Sequence, residues 1–213
     1  MGGRAVTAPI RPGPPPTAPL KIIRQKYYAI EAAAGMAAAP HGFPCAKGCA
    51  WCCHSPIVVS DADVRLVRDA VTRLAEQDRL SVLDRADAYC DALRTAGVDL
   101  DTAGGYDRIA RINAYGLLPI LERVWPDGGL ACPLLAPGDA PGRGSCMIYE
   151  DRPAACRVYF ARGPEACRPP RTGPVQELDT HGAMQKLINV LHLRSVGILG
   201  VELPRMFRLH VVQ

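Results

Sequence analysis

The sequence lacks long apolar segments and has few aromatic residues. Only 6% of the chain is phenylalanine, tryptophan or tyrosine, and there is no run of about 18 apolar residues that could cross a membrane. Residues 1–20 are rich in proline and contain no apolar stretch of the kind that directs secretion. We therefore expect a cytoplasmic protein that does not associate with a membrane.

Charge of one sign is not concentrated anywhere in the sequence. The formal net charge is +4 and the isoelectric point is near 8.6, but the arginines are scattered, as is typical of a solvated surface. We expect no nucleic-acid partner, and other partners are unknown. A Ser-His-Asp pattern, a phosphate-binding loop and paired carboxylates are also missing from the sequence, so whether the protein is an enzyme stays open.

Cysteine, in contrast, is abundant, with nine residues in a chain of 213. Clustered cysteines in a reducing cytosol are more often metal ligands or redox groups than disulfides. Cys90 stands alone on a predicted apolar helix face, so we expect it to pack in the core. The other eight form the first cysteine group (Cys45, Cys49, Cys52 and Cys53) and the second cysteine group (Cys132, Cys146, Cys156 and Cys167).

The chain divides into an arm and a domain. Residues 1–19 contain six prolines and no apolar period, so we expect a disordered or extended arm. Residues 20–213 are expected to form a single metal-binding domain.

Several segments have helical spacing of their apolar residues. The first predicted helix begins at Leu20 and presents Ile23, Tyr27, Ile30 and Ala34 on one face. The second follows Ser60, which forms an acidic variant of the capping box with Asp63. Further helices are predicted over residues 81–97, with Gly97 as the C-terminal cap, over 106–115 and over 180–199.

Residues 130–172 differ from the rest, because their cysteines lie among glycines and prolines. Leu130–Leu135 and Cys146–Tyr149 have the composition of two short strands. The tripeptide DRP before Ala154 indicates the start of a helical turn that carries Cys156. We therefore predict a mainly α fold, in which helices surround a loop-rich cysteine cluster with a small β-hairpin near the second cysteine group.

The first cysteine group has the spacing C-x3-C-x2-C followed by one more cysteine. Thiolates are soft ligands that suit zinc, iron–sulfur clusters and copper(I), and a tight loop turning at Gly48 would aim three sulfurs at one point. Adjacent side chains diverge in an extended backbone. We therefore hypothesise that either Cys52 or Cys53 completes a site with Cys45 and Cys49, while its neighbour faces the second group.

Residues beside the ligands are predicted as well. A site of four thiolates carries a formal charge of about −2 with zinc or with an oxidised four-iron cluster, and it requires nearby cations or N–H donors. We predict that Arg152 and Arg157 supply the positive charge and that Tyr149 shields the centre from water. His54 is expected to be a loop residue without a metal contact.

The pattern as a whole resembles a known family. The first group reads C-x3-C-x2-C-C, and the second reads CPLL, GSCMIYEDRPAACRVY and EACRPPR. Over residues 41–170 this is similar to the bacterial YkgJ-like cysteine-cluster family. The resemblance implies chelation of zinc or iron without an assigned reaction. It implies the ligands Cys45, Cys49, Cys52, Cys53, Cys132, Cys146 and Cys156, with Cys167 as a trailing cysteine.

The metal and the biochemical role stay open at this point. Eight thiolates with almost no histidine favour an iron–sulfur cluster weakly, and they also suit two four-thiolate zinc sites. Besides a metal-binding protein, a structural zinc module and a cluster-dependent enzyme acting on a protein or peptide are alternatives. The first group, with Trp51 before its third cysteine, also matches radical S-adenosylmethionine enzymes, but the βα alternation of their barrel is missing.

Overall fold

The structure is a computed structural model that describes residues 18–38, 48–54, 57–97, 100, 130–140, 142–158 and 195–208. It is mainly helical, as predicted. In chain order the elements are α1 (Leu20–Ala38), β1 (Val58–Ser60), α2 (Asp61–Thr72), α3 (Glu76–Thr95), β2 (Leu135–Pro137), β3 (Gly144–Cys146), α4 (Ala154–Val158), β4 (Ser195–Ile198) and α5 (Leu199–Arg208). Short 3-10 helices cover Trp51–His54 and Tyr149–Asp151.

Some predictions fall outside the described residues. They are the arm over residues 1–17, the helix over 106–115 and the part of the last predicted helix over 180–194. Within the described part of the chain, none of the helices combines the length and the apolar character that a membrane span needs.

Helix α1 packs through the face that its apolar spacing predicts. Ile23 and Tyr27 are both 0% exposed, and they form a cluster with Ala62 and Leu66 of α2 and Ala154 of α4. Burial of each large side chain in such a cluster stabilises the fold by about 1.5–3 kcal/mol. This face therefore ties α1 to the helix that carries Cys156.

Helix α2 begins with the predicted capping box. The Ser60 hydroxyl accepts a hydrogen bond from the Asp63 N–H at 3.2 Å, and Asp63 Oδ2 accepts one from the Ser60 N–H at 2.7 Å. Asp63 has a second role, because its Oδ1 accepts a hydrogen bond from the Ala154 N–H at 2.8 Å. A single buried carboxylate thus caps the first turns of both α2 and α4.

Helix α3 is longer than its apolar pattern predicts. It begins at Glu76 rather than at Ser81, because acidic residues in its first turn complement the positive end of the helix dipole. Gly97 follows its end with φ +82°, which confirms the predicted cap. Cys90 is 4% exposed and lies in an apolar cluster with Leu93, which confirms its expected place in the core.

The pairing of β1 with β4 is a feature that the sequence did not predict. The two strands are antiparallel, with Val58 opposite Ile198. The helix predicted over 180–199 is therefore wrong at residues 195–198, where two β-branched residues favour an extended chain. Helix α5 follows directly and buries Leu199, Leu203 and Met206 in the main core.

The predicted hairpin near the second cysteine group is confirmed, but its strands are shifted along the sequence. β2 and β3 are antiparallel, with Leu135 opposite Cys146 and Pro137 opposite Gly144. The strand predicted over 146–149 ends at its first residue, because the chain turns there into a 3-10 helix. The turn depends on Gly142, whose φ of +72° is unfavourable for other residues.

The main core lies between α2, α3 and α5, and the hairpin packs at its edge. Leu134 is 1% exposed and Ile148 is 5% exposed, so the chain is anchored just before β2 and just after β3. Cys132 and Cys146 are partly buried against the same core. Cys132 and Cys146 of the second cysteine group therefore rest on an apolar support.

Candidate metal centre

The first cysteine segment (residues 48–54) is hydrogen-bonded along the outer side of β3. The Ala50 N–H donates to the Gly142 carbonyl at 2.8 Å, and the Gly144 N–H donates to the Gly48 carbonyl at 3.2 Å. Cys49 forms an antiparallel β-bridge with Arg143. The segment thus lies beside the hairpin as an irregular third strand.

A further hydrogen bond joins the two cysteine groups. The Cys132 N–H donates to the Cys53 carbonyl at 2.7 Å. The Cys53 N–H itself donates to the Ala50 carbonyl at 3.0 Å, within the 3-10 helix, and this fixes the carbonyl of Cys53 in the bent loop. Cysteines far apart in the sequence are therefore neighbours in space.

Trp51 packs against the hairpin turn. A Cβ atom added at Gly142 would stand 2.0 Å from Trp51 Cε2, so the indole lies directly on the glycine backbone. Only glycine leaves room for this contact. The indole thereby covers the junction between the first cysteine segment and the hairpin.

Five thiols of the two cysteine groups lie within electrostatic range of one another near this junction. The Cys53 pKa is raised in part by the charges of Cys132 and Cys156, and the Cys146 pKa in part by that of Cys52. None of the seven cysteines in the described part of the chain is in a disulfide. The junction is therefore a cluster of sulfur donors from both cysteine groups.

The acidities of these thiols differ widely. A hydrogen bond from the Cys53 thiol stabilises the Cys52 thiolate and lowers the pKa of Cys52 to about 7. The same hydrogen bond and then burial raise the pKa of Cys53. Burial raises the pKa of Cys132 to about 12 and also raises the pKa of Cys156. Several thiols in one desolvated place ionise together only when a cation balances their charge.

Cys156 is placed by the short helix α4. The helix follows Pro153, and its first N–H group, at Ala154, is held by the carboxylate of Asp63. Ala154 is 1% exposed and packs in the cluster that joins α1 and α2. The position of the Cys156 thiol therefore depends on the packing of α1 and α2.

The two predicted arginines act electrostatically on the thiols. Burial raises the pKa of Cys146, and the charges of Arg152 and Arg157 offset part of this rise. The side chain of Arg157 is 1% exposed, and its guanidinium lies 5.0 Å from the centre of the Tyr28 ring. The guanidinium of Arg152 stacks on Tyr149 at 4.0 Å, so Tyr149 contacts one of the two predicted cations.

The sequence did not predict a role for two charged residues near the centre, Arg85 and Glu31. Arg85 of α3 donates from Nε to the Pro133 carbonyl at 2.8 Å and from Nη2 to the Met147 sulfur at 3.1 Å. Glu31 of α1 forms salt bridges with both Arg152 and Arg157. Each ion pair or hydrogen bond joins residues distant in sequence, and no local pattern marks such pairs.

The predicted ligands are therefore partly accounted for. Cys45 and Cys167 lie outside the described residues, and Cys49 is exposed at the edge of the hairpin. Among the residues that the structure describes, no three His, Cys, Asp or Glu side chains already stand in a ligand arrangement. The charge of Cys52 helps to raise the pKa of Cys156, and the charges of Cys132 and Cys156 help to raise the pKa of Cys53, so both residues interact with the second group. The hypothesis that one of these two residues completes a site with Cys45 and Cys49, while the other faces the second group, stays a prediction.

The donor set nevertheless fits a soft metal. The converging groups are thiols, which suit zinc and iron–sulfur clusters and not hard cations such as magnesium. A buried nitrogen, Arg152 Nε, also has no hydrogen-bond partner in the described part of the chain. A buried N–H donor without a partner is suited to an additional acceptor.

A family model matches residues 44–181 of the chain, and its description is CxxCxxCC, putative zinc- or iron-chelating domain. The match extends over more than half of the chain and includes all eight predicted cysteine ligands. It confirms the resemblance found in the sequence. No curated protein and no solved structure matches the chain.

Proposed function

We propose that this chain, which belongs to the CxxCxxCC family, binds zinc or iron in a centre formed jointly by its two cysteine groups. The observation that carries the proposal is the backbone hydrogen bond from the Cys132 N–H to the Cys53 carbonyl at 2.7 Å, which joins the two cysteine groups. Five thiols lie within electrostatic range of one another there: Cys52, Cys53, Cys132, Cys146 and Cys156. The family description supports zinc or iron as the metal.

Of the two metals, we favour iron in an iron–sulfur cluster. The candidate donors are all sulfur, and the positive charges of Arg152 and Arg157 favour the thiolate form of Cys146, as suits a negatively charged thiolate-bound cluster. A zinc site of four thiolates is the alternative, because it uses the same donors and the same balancing charges. The proposal of a shared centre is the same for both metals.

The compartment follows from the chemistry of the thiols. A centre of this kind requires reduced cysteines, and the seven described cysteines form no disulfides. Reduced thiols are maintained in the cytosol by glutathione and thioredoxin. We therefore place the protein in the cytoplasm as part of the proposal.

The deciding experiment is purification of the full chain without oxygen, followed by an absorption spectrum and elemental analysis of the same sample. An iron–sulfur cluster gives a brown protein with a broad band near ~400 nm, together with iron and acid-labile sulfide. A colourless protein with stoichiometric zinc would support the zinc alternative. Failure to retain either metal, even after reconstitution with zinc or with iron and sulfide, would contradict the proposal.

A further inference from the structure

Arg85 of α3 lies at the open end of the hairpin formed by β2 and β3. Its Nε donates a hydrogen bond to the Pro133 carbonyl at 2.8 Å, and its Nη2 donates one to the Met147 sulfur at 3.1 Å. Pro133 directly follows Cys132, and Met147 directly follows Cys146. A single guanidinium therefore spans the two chain segments that carry these cysteines of the second group.

Two backbone hydrogen bonds stabilise the same segments. The Met147 N–H donates to the Leu134 carbonyl, and the Leu135 N–H donates to the Cys132 carbonyl, each at 2.9 Å. The second bond closes a turn with Pro133 at its second position, where proline is favoured. The Pro133 carbonyl takes no part in these two bonds, and the guanidinium supplies its donor. The side chain thus adds a link between the segments to those that the backbone makes.

The packing of α3 sets the position of Arg85. Val82 and Ala86, on either side of it, are both 0% exposed, and they belong to the main core together with Leu134. The guanidinium is also held from within its own helix, because Nη1 donates to Ser81 Oγ at 2.6 Å. All three nitrogens of the guanidinium are therefore hydrogen-bonded, and its orientation is set on three sides.

The bridge depends on the shape of arginine. A guanidinium presents its donors in a rigid planar fork, whereas lysine presents one nitrogen at the end of a flexible stem. Hydrogen bonds from an ionised donor are stronger than those from a neutral one, which matters for a weak acceptor such as a thioether sulfur. A lysine in place of Arg85 would keep the charge and lose the simultaneous contacts with Pro133 and Met147.

Building on the proposed function, we propose that Arg85 is a positioning residue of the metal centre, which fixes Cys132 and Cys146 relative to each other by bridging Pro133 and Met147. It acts through the chain neighbours of the two cysteines rather than on their sulfurs. Ligands whose separation is fixed before the metal arrives lose less conformational freedom on binding, and the affinity is correspondingly higher.

The test is the zinc affinity of the full chain, measured by competition with a chelator, in Arg85→Lys. We expect the affinity to fall about tenfold, which is the effect of losing one hydrogen bond from a charged donor. Arg94→Lys is the matched control, because Arg94 lies in the same helix and pairs with Asp91 at the surface, within that helix. The control should bind zinc as tightly as the wild type.

Amide hydrogen exchange of the metal-free proteins separates positioning from a general loss of stability. In Arg85→Lys, exchange should accelerate at Leu135 and Met147, whose N–H groups lie in the bridged segments. It should stay unchanged at Tyr27, inside α1. A merely structural role would instead accelerate exchange at all three amides, because global unfolding exposes them together.

Unchanged zinc affinity in folded Arg85→Lys, or equal acceleration at all three amides, would overturn the inference and leave the proposed function intact. If Arg85→Lys does not fold by circular dichroism, Met147→Leu decides, because leucine keeps the apolar volume and removes the sulfur acceptor. It should lower zinc affinity and accelerate exchange at Leu135, and wild-type values of both would overturn the inference. A wild-type protein that binds neither zinc nor iron would overturn the inference together with the proposed function.

Discussion

The Cys132 N–H lies 2.7 Å from the Cys53 carbonyl, and this hydrogen bond connects the two cysteine groups through the backbone. Because the bond involves no side chain, it forms whether or not a metal is bound. The thiols of both groups are consequently brought together before any ligand is deprotonated. Preorganisation of this kind reduces the entropy that metal binding has to overcome.

Replacing a cysteine of the centre should remove metal, whereas replacing the core cysteine should not. Cys132→Ala removes a thiol at the junction, and we expect metal content after reconstitution to fall by about half or more. Cys90→Ala serves as the matched control, since Cys90 is buried among apolar side chains. Elemental analysis checks both variants. Equal metal loss in the two variants would show that instability, rather than ligation, determines metal content.

The hairpin turn should not tolerate a side chain. Gly142→Ala places a Cβ 2.0 Å from Trp51 Cε2 at a residue with φ +72°. We expect the free energy of unfolding to fall by ~2 kcal/mol, as measured by urea denaturation of the metal-free protein.

Gly35→Ala is the control for that substitution. Gly35 lies inside α1, and nothing is within 4 Å of an added Cβ. Alanine there should stabilise the protein by about 0.5–1 kcal/mol. Two similar losses of stability would contradict the role assigned to the contact between Trp51 and Gly142.

Asp151 should make stability depend on pH in the acid range. Burial alone would raise its pKa, but the hydrogen bonds from Arg24 and Arg73 outweigh that effect, so the pKa of Asp151 is lowered. Its contribution to stability is therefore complete above the unfolded-state pKa of about 3.9 and is lost as pH falls through the lower folded-state pKa. Thermal denaturation between pH 7 and pH 2 measures this loss.

A substitution isolates the contribution of that ion pair. Asp151→Asn should lower stability at pH 7 by about 1–2 kcal/mol, because two partly exposed guanidinium groups lose a buried partner, and it should flatten the acid dependence. Asp91→Asn removes an exposed ion pair with Arg94 and should have almost no effect. An acid transition as steep in Asp151→Asn as in the wild type would contradict the assignment.

Cys52 should be the most reactive thiol of the cluster in the metal-free protein. Its pKa is lowered to about 7, whereas that of Cys132 is raised to about 12. At pH 7 about half of Cys52 is thiolate, the reactive form. Alkylation followed by mass spectrometry should label Cys52 well before Cys132, and bound metal should protect it. Equal labelling rates would contradict the predicted difference in acidity.

Local signals in the sequence were sufficient for several helices. The spacing of Ile23 and Tyr27 predicted the buried face of α1, and Ser60 with Asp63 predicted the start of α2. Gly97 predicted the end of α3. These predictions were correct because each feature depends on residues within about one or two helical turns of one another.

Long-range contacts could not be predicted in the same way. The pairing of β1 with β4 joins residues far apart in the chain, and so do the contacts of Glu31 and Arg85 with the centre. The cysteine pattern indicated which residue types gather at the centre. It carried no information on which distant charges would surround them, because ion pairs across a fold leave no periodic signal.

The carboxylate shared by α2 and α4 links metal exchange to the motion of a helix end. Asp63 accepts hydrogen bonds from the N–H groups of Ser60 and Ala154, and Cys156 follows on the same short helix. Withdrawal of Cys156 from the centre would break the hydrogen bond from the Ala154 N–H to Asp63, which joins α4 to the start of α2, in the same step. Release of the metal therefore has a local unfolding cost in addition to the cost of breaking bonds to sulfur. Amide hydrogen exchange at Ser60 and Ala154 should slow together when the centre is loaded.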